Sequence, residues 1–143
     1  MLINGILNPQ INSLLARVRH TNMLVITDRG FPYWPMIETV DISLVDDIPT
    51  VLQVFQAIRS NFEISEIYIA EEFRKGNSPD TCQALADATA QIPLRYMEHE
   101  ELKKYVSGAI GLIRTGDTVQ YANMILVSGP ILLRGKKQPQ NQG

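Results

Sequence analysis

A short, almost wholly apolar stretch that ends in a polar turn is the feature that most constrains this chain. Residues 23–27 read Met-Leu-Val-Ile-Thr, and Asp28, Arg29 and Gly30 follow directly. Apolar residues at successive positions of a strand require cover on both faces, as in the strands of parallel sheets. The stretch therefore predicts a central strand with a polar turn at its carboxyl end.

Helical and extended patterns alternate along the rest of the chain. Asn8 and Pro9 predict the start of a first helix, which we expect to end at His20. Further helices are predicted from Pro49, at residues 78–90 and at residues 98–106. Further strands are predicted at residues 37–42, 64–70, 93–97, 109–113 and 124–127. This alternation predicts an α/β domain with a largely parallel sheet and helices on both faces.

One domain accounts for the length of the chain. We assign residues 1–133 to the domain and expect residues 134–143, which are polar and aperiodic, to be a disordered tail. The 13 basic and 15 acidic side chains give no global charge that would favour nucleic acid. No apolar run approaches the roughly 18 residues of a membrane span, and the first residues do not resemble a signal peptide. We therefore expect a cytoplasmic protein that binds neither nucleic acid nor membrane.

Three side chains suited to proton transfer stand near the ends of predicted elements. Asp28 follows the first strand, where α/β sheets bind ligands, although an aspartate before Gly30 is also an ordinary turn residue. His20 and His99 are the two histidines of the chain, and their ordinary pKa lies near neutral pH. A histidine at a helix end can equally have a purely structural role.

Two further segments suit a polyhydroxylated ligand. Tyr121 and Asn123 offer a hydroxyl and an amide before a buried strand, or else serve as an interface tyrosine and a turn asparagine. Phe31, Tyr33 and Trp34 form an aromatic loop that suits either the wall of a sugar site or a contact with another subunit.

Other familiar chemistries lack their sequence signals. Glu71 and Glu72 follow the predicted strand at residues 64–70, and we expect a solvated strand end there because neighbours on a strand point to opposite faces. The glycines match neither a dinucleotide nor a phosphate loop. Cys82 is the one cysteine, which excludes an intrachain disulfide, and the two histidines lack zinc-site spacing. We therefore predict no metal and no cofactor.

Taken in order, several short motifs resemble the D-ribose pyranase/fucose mutarotase family over about residues 1–129. They are His20-Thr21, Leu24 to Gly30 with Pro32, Ile69-Ala70-Glu71-Glu72, His99-Glu100, Ile113-Arg114-Thr115-Gly116-Asp117 and Tyr121 to Leu126. The Arg-Thr-Gly-Asp and Tyr-Ala-Asn segments are more similar to the ribose branch than to the fucose branch.

The resemblance implies a cofactor-free isomerase that interconverts the ring forms and anomers of a free monosaccharide, with ribose favoured. His20 corresponds to the catalytic proton donor of the family. The residues that correspond to sugar contacts are Asp28, His99, Tyr121, Asn123 and the backbone of Ala122. The family further implies a three-layer α/β/α fold with a mixed sheet, and homo-oligomers, either pentameric rings or decamers, with sites at subunit contacts.

The chain departs from the family pattern at two places, and three alternative functions stand beside the one that the resemblance implies. Arg29 stands where the family has a small residue, and the loop at residues 31–35 is bulkier than usual, which leaves the sugar open. The alternatives are a monosaccharide-binding or transport-accessory protein without turnover and a purely structural ring former. A fucose-type mutarotase is a third possibility within the enzyme interpretation.

The predicted strand separates the two residues expected to act as catalysts, His20 and Asp28. Residues 22–27, if extended, span about 20 Å at roughly 3.3 Å per residue. Either the chain bends near residues 20–22, or different subunits supply the two groups to one site.

Overall fold

The computed structural model describes residues 1–130, which contain six strands and five helices. In chain order they are α1 (Pro9–Leu15), β1 (Met23–Thr27), β2 (Glu38–Asp41), α2 (Val51–Arg59), β3 (Ile64–Ala70), α3 (Glu71–Gly76), α4 (Pro79–Ala88), β4 (Leu94–Met97), α5 (His99–Val106), β5 (Gly111–Arg114) and β6 (Met124–Ser128). The predicted tail, residues 134–143, lies outside the described residues, as do the last three residues of the predicted domain.

All six strands form one mixed sheet in the order β2-β5-β1-β6-β3-β4. β6 runs antiparallel to its neighbours β1 and β3, and the other neighbouring pairs are parallel. Val25 at the middle of β1 pairs with Leu112 of β5 on one side and Ile125 of β6 on the other. The prediction of a largely parallel, mixed sheet is confirmed.

Helices cover both faces of the sheet, which confirms the three-layer α/β/α architecture. On one face, α1, α2 and α4 bury the larger core, whose fully buried side chains include Leu14, Leu24, Ile26, Phe55 and Ile58. On the other face, Leu102 and Val106 of α5 pack against Val25 and Ile125. Burial of each large apolar side chain contributes roughly 1.5–3 kcal/mol, so these two cores hold the strand ends in register.

The first helix is shorter than predicted. Its start is as expected, because Asn8 Oδ1 accepts a hydrogen bond from the Ile11 N–H at 2.9 Å. However, α1 ends at Leu15, and the Arg17 and Val18 N–H groups bond only three residues back. The expectation that His20 ends this helix is therefore wrong. The chain unwinds after Leu15 to join the sheet, and His20 lies in the turn before β1.

Two other helix starts differ from the prediction. Pro49 follows a cis peptide bond, and α2 begins only at Val51, where Thr50 and Gln53 form a reciprocal capping box. Glu71 and Glu72 open the short helix α3, so the expected solvated strand end is wrong. The acidic pair suits a helix start because carboxylates stabilise the amino end of the helix dipole.

Candidate functional site

A cavity of about 280 Å³ opens where the carboxyl end of β1 meets the amino end of β6. This meeting depends on the antiparallel direction of β6, which brings residues 120–123 beside the turn after β1. The cavity is lined by Asp28, Gly30, Phe31, Pro32, His99, Gln120, Tyr121 and Asn123. Its volume is near the lower end of the range for small-molecule sites. Four of the predicted sugar contacts thus line one cavity.

Asn123 and Asp28 fix the floor of this cavity. Asn123 is 2% exposed, and its Oδ1 accepts a hydrogen bond from the Asp28 N–H at 2.8 Å. Asp28 Oδ1 in turn accepts a hydrogen bond from the Gly30 N–H at 3.0 Å. These bonds hold the Asp28 carboxylate in a defined position at the end of the strand.

Burial controls the charge of Asp28. Loss of water raises the pKa of Asp28 above its ordinary value, and the N–H groups of Gly30 and Phe31 partly offset the rise. The negative charge of Asp117 raises this pKa further, whereas His99 lowers it. The carboxyl group therefore accepts a proton at a higher pH than an exposed aspartate would.

His99 forms the opposite side of the cavity, at the first position of α5. Its backbone N–H donates a hydrogen bond to Glu72 Oε1 at 2.9 Å. The imidazole meets Phe31 and Tyr121 edge to face, with ring centroids 6.0 and 5.1 Å apart. Its Nδ1 is buried and has no hydrogen-bond partner among residues 1–130.

The surroundings of His99 favour the neutral imidazole. Burial, followed by the charge of Lys103, lowers the pKa of His99, while Glu72, Glu100 and Asp28 oppose that shift. The pKa values of Asp28 and His99 consequently move towards one another from opposite sides.

The turn before β6 presents Tyr121 to the cavity. Tyr121 has a φ of 58°, a left-handed conformation that is uncommon for residues other than glycine. Asn77 Nδ2 braces the turn by donating hydrogen bonds to the carbonyl oxygens of Phe73 and Gln120, at 2.8 and 3.0 Å. Ala122 lines a separate, largely apolar cavity of about 390 Å³. The predicted contact of Ala122 with a ligand would therefore use its backbone.

The Arg-Thr-Gly-Asp segment supports the site from behind. Arg114 donates hydrogen bonds to the Arg29 carbonyl oxygen at 2.8 and 3.2 Å and to Asp41 at 2.9 Å. Thr115 Oγ1 donates to the carbonyl oxygen of Thr27 at 2.7 Å. The bonds to the Arg29 and Thr27 carbonyl oxygens hold the end of β1 and the turn that carries Asp28.

Gly116 and Asp117 continue this support towards α2. A Cβ on Gly116 would lie 2.3 Å from the Val45 carbonyl oxygen, so only glycine fits without a shift of backbone. Asp117 is 4% exposed, and its carboxylate accepts hydrogen bonds from the N–H groups of Val51 and Val119, each at 2.8 Å. The segment is thus a structural brace, a role that the sequence motif alone does not reveal.

The residues that depart from the family pattern divide between the cavity and its surroundings. Arg29 does not line the cavity, and its guanidinium pairs with Asp46. Phe31 is buried in the cavity wall and stacks on Trp34 at 5.7 Å, whereas Tyr33 is 78% exposed. The loop therefore reaches the site through Phe31 and Pro32. Gln120 also lines the cavity, and no sequence pattern singles it out.

His20 is not part of this cavity. It is exposed, and the N–H of the next residue, Thr21, donates to the Ser128 carbonyl oxygen at 3.0 Å, at the carboxyl end of β6. Asp28 lies beyond the other end of β1, and the chain from residue 22 to residue 28 spans about 20 Å at roughly 3.3 Å per residue. The turn at residues 20–22 is bonded to Ser128, so within one copy these two groups remain at opposite ends of β1.

The turn that carries His20 is itself unusual. Thr21 has a φ of 72°, which is a marked outlier for a β-branched residue. The bonds of Thr21 and Asn22 with Ser128 hold this conformation in place. Backbone strain of this kind clusters at functional sites, where the surrounding structure maintains it.

Other site classes find little support in residues 1–130. No helix there combines the length and apolarity needed to cross a membrane. The same residues include no cluster of three or more His, Cys, Asp or Glu side chains placed to hold a metal ion. Cys82 is a free, partly buried thiol close to the carbonyl oxygens of Arg74 and Asn77.

Sequence comparisons place these features in a family. The model of the RbsD / FucU transport protein family matches residues 1–131. The chain is 38% identical over 126 residues to a D-ribose pyranase of Geobacillus thermodenitrificans, which covers 88% of this chain and 95% of that protein. It is 37% identical over 128 residues to a D-ribose pyranase of Halalkalibacterium halodurans, with 90% and 97% covered.

Solved structures share the fold. The structure of Bacillus subtilis RbsD complexed with D-ribose matches with a TM-score of 0.85 at 29% identity, over 92% of this chain and all of that one. The fucose mutarotase of Streptococcus pneumoniae, solved with L-fucose, matches with a TM-score of 0.71 at 18% identity, over 87% and 94%. The family model, the relatives and the shared architecture agree: this chain belongs to the RbsD / FucU family.

Proposed function

We propose that this protein is an isomerase of the D-ribose pyranase type, which interconverts the ring forms and anomers of a free monosaccharide. Ribose is the favoured substrate. The observation that carries the proposal is the convergence of Asp28, His99, Tyr121 and Asn123 on one cavity. The identity of 38% with a D-ribose pyranase supports the same substrate class.

The reaction needs only proton transfers. Opening of a cyclic hemiacetal removes the proton from the anomeric hydroxyl and delivers a proton to the ring oxygen. The free aldehyde then rotates and recloses on the same or on a different hydroxyl, so that no electrons are transferred and no water is consumed. Positioned acid and base groups typically accelerate such steps by about 10²–10⁴-fold.

Each cavity residue has a role suited to its chemistry. Asp28, held by the Gly30 N–H, orients the sugar and the catalytic imidazole. His99, Tyr121 and Asn123 hold hydroxyl groups, together with the backbone of Ala122. His20 of a neighbouring copy shuttles the proton, because within one copy it lies near the amino end of β1, opposite the cavity.

This arrangement requires a homo-oligomer in which the end of the sheet that carries His20 in one copy meets the end that carries Asp28 in the next. Head-to-tail contacts of this kind close into rings, and we propose a pentameric ring or a decamer of stacked rings. Exposed apolar side chains near the carboxyl edge support a contact there: Leu44, Val45 and Ile48 are 75%, 58% and 52% exposed. We place the protein in the cytoplasm, where the free thiol of Cys82 would stay reduced.

Saturation-transfer NMR with D-ribose tests the proposal directly. The wild-type protein should accelerate exchange between pyranose and furanose forms, and His20→Ala should abolish the acceleration while light scattering shows an unchanged oligomer. Sugar binding without faster exchange would instead identify a binding or transport-accessory protein. Faster exchange of L-fucose than of D-ribose would identify a fucose-type mutarotase, and no binding at all would leave a structural ring former.

A further inference from the structure

Two consecutive glutamates at the start of α3 make different contacts. Glu71 forms a bidentate pair with Arg74, one helical turn away, at 2.7 and 3.0 Å. Glu72 instead reaches α5, where its Oε1 accepts the hydrogen bond from the His99 N–H at 2.9 Å. The two carboxylates share a helix but only one of them touches the candidate site, which makes them a natural test and control.

The amino end of α5 has no cap from its own flanking side chain. Glu98 occupies the cap position and makes no side-chain hydrogen bond there. The first N–H groups of a helix lack partners within the helix, and Glu72 supplies one from another element. Since this N–H belongs to His99, the bond fixes the backbone of the residue whose ring forms the cavity wall.

The ring of His99 has few other restraints. It makes edge-on contacts with Phe31 and Tyr121, and its Nδ1 has no partner within the described part of the chain. Its position therefore depends on the backbone at the start of α5, which the bond to Glu72 helps to hold in place.

We propose that Glu72 is a positioning residue for the sugar reaction: it holds His99 at the cavity wall and keeps a negative charge beside the imidazole. This role rests on the proposed function. Four charged groups act on His99, namely Lys103 and Glu100 on α5, Asp28 after β1, and Glu72 on α3. Of these four, Glu72 is the one that also bonds the His99 backbone.

Three variants separate position from charge and from stability. Glu72→Ala removes both the acceptor and the charge, Glu72→Gln keeps an acceptor oxygen, and Glu71→Ala is the matched control. Because a misplaced His99 binds the sugar less well, we expect Glu72→Ala to raise KM for D-ribose by about tenfold, which corresponds to roughly 1.4 kcal/mol of binding free energy. Glu72→Gln should keep KM near the wild-type value, and Glu71→Ala should do the same.

The KM and kcat changes distinguish positioning from a folding defect. If His99 grips the sugar equally in the ground and transition states, its loss raises KM and leaves kcat nearly unchanged. A variant that is merely less well folded has less active protein, so its apparent kcat falls while KM stays the same. A Glu72→Ala variant with wild-type KM would overturn the proposal.

NMR titration of the imidazoles gives a second readout that needs no turnover. The chain has two histidines, so His20→Ala assigns the signals of His99. The pKa of His99 should fall in both Glu72 variants, because a charge that raises it is gone, and should not change in Glu71→Ala. Unchanged His99 signals in Glu72→Ala would refute the contact. Absence of sugar exchange in the wild type would instead refute the proposed function, so the two failures are distinguishable.

Discussion

Mixing two inactive variants should restore activity if neighbouring copies share each site. Within one copy, His20 and Asp28 lie at opposite ends of β1, and the chain from residue 22 to residue 28 spans about 20 Å at roughly 3.3 Å per residue, whereas proton transfer requires a hydrogen-bond distance of about 3 Å. His20→Ala and Asp28→Asn should each be inactive alone. The asparagine keeps an oxygen that accepts the Gly30 N–H, so the turn should stay folded.

The expected activity of the mixture follows from counting. When the two variants assemble at random in equal amounts, half of the sites have an intact Asp28, and half of these receive an intact His20 from the neighbour. About a quarter of wild-type activity should therefore return, as for any heterologous contact that uses one group from each copy.

Co-expression with two different tags, followed by purification on both, provides the mixed oligomers. Ring exchange of D-ribose is then measured by saturation transfer. The control pairs His20→Ala with the His20→Ala/Asp28→Asn double variant, a mixture in which no site can be intact. Mixed oligomers that show only the activity of this control would refute the shared site, as would His20→Ala homo-oligomers with full activity.

Three further predictions concern the brace, the turn and the pH response. Gly116→Ala should lower the free energy of unfolding by about 1–3 kcal/mol in urea titrations, because its Cβ would meet the Val45 carbonyl oxygen; wild-type stability would contradict the close packing. Tyr121→Phe should raise KM for D-ribose by about fivefold, for the loss of roughly 1 kcal/mol of hydrogen bonding, and an unchanged KM would remove the phenol from the site. Since folding lowers the pKa of His99, the unfolded state binds the proton more readily, and the free energy of unfolding should fall as the pH drops below about 6.5. His99→Gln should reduce that fall. An identical pH profile of stability in the variant would show that His99 does not cause it.

Local patterns in the sequence were enough to locate much of the fold and the cavity. The apolar residues at 23–27 form β1 with the predicted bounds, and α5 begins at His99, one residue after the predicted start. Asp28 and the Tyr121–Asn123 segment lie where the turn after β1 meets the turn before β6. Those predictions succeed because they depend on periodicity and turn chemistry, which act over a few residues.

Features that depend on distant contacts were beyond such patterns. Val18 continues the helical spacing of the first helix, but the helix ends at Leu15 and the N–H groups of Arg17 and Val18 bond only three residues back. The strand direction of β6 cannot be read from its apolar residues, although it decides that Asn123 meets Asp28. The bond from Glu72 to His99 joins residues 27 positions apart, and no spacing rule connects them.

The reversed strand at the centre of the sheet has a consequence for how this protein can vary. β6 runs from the turn of Tyr121 and Asn123 at one edge to Ser128, which anchors the turn after His20, at the other. A one-residue insertion or deletion within it would shift one of these turns relative to the other and turn the side chains beyond it to the opposite face of the sheet. We infer that the length of β6 must stay constant, because it sets the spacing between the turn that lines the cavity and the turn that follows His20.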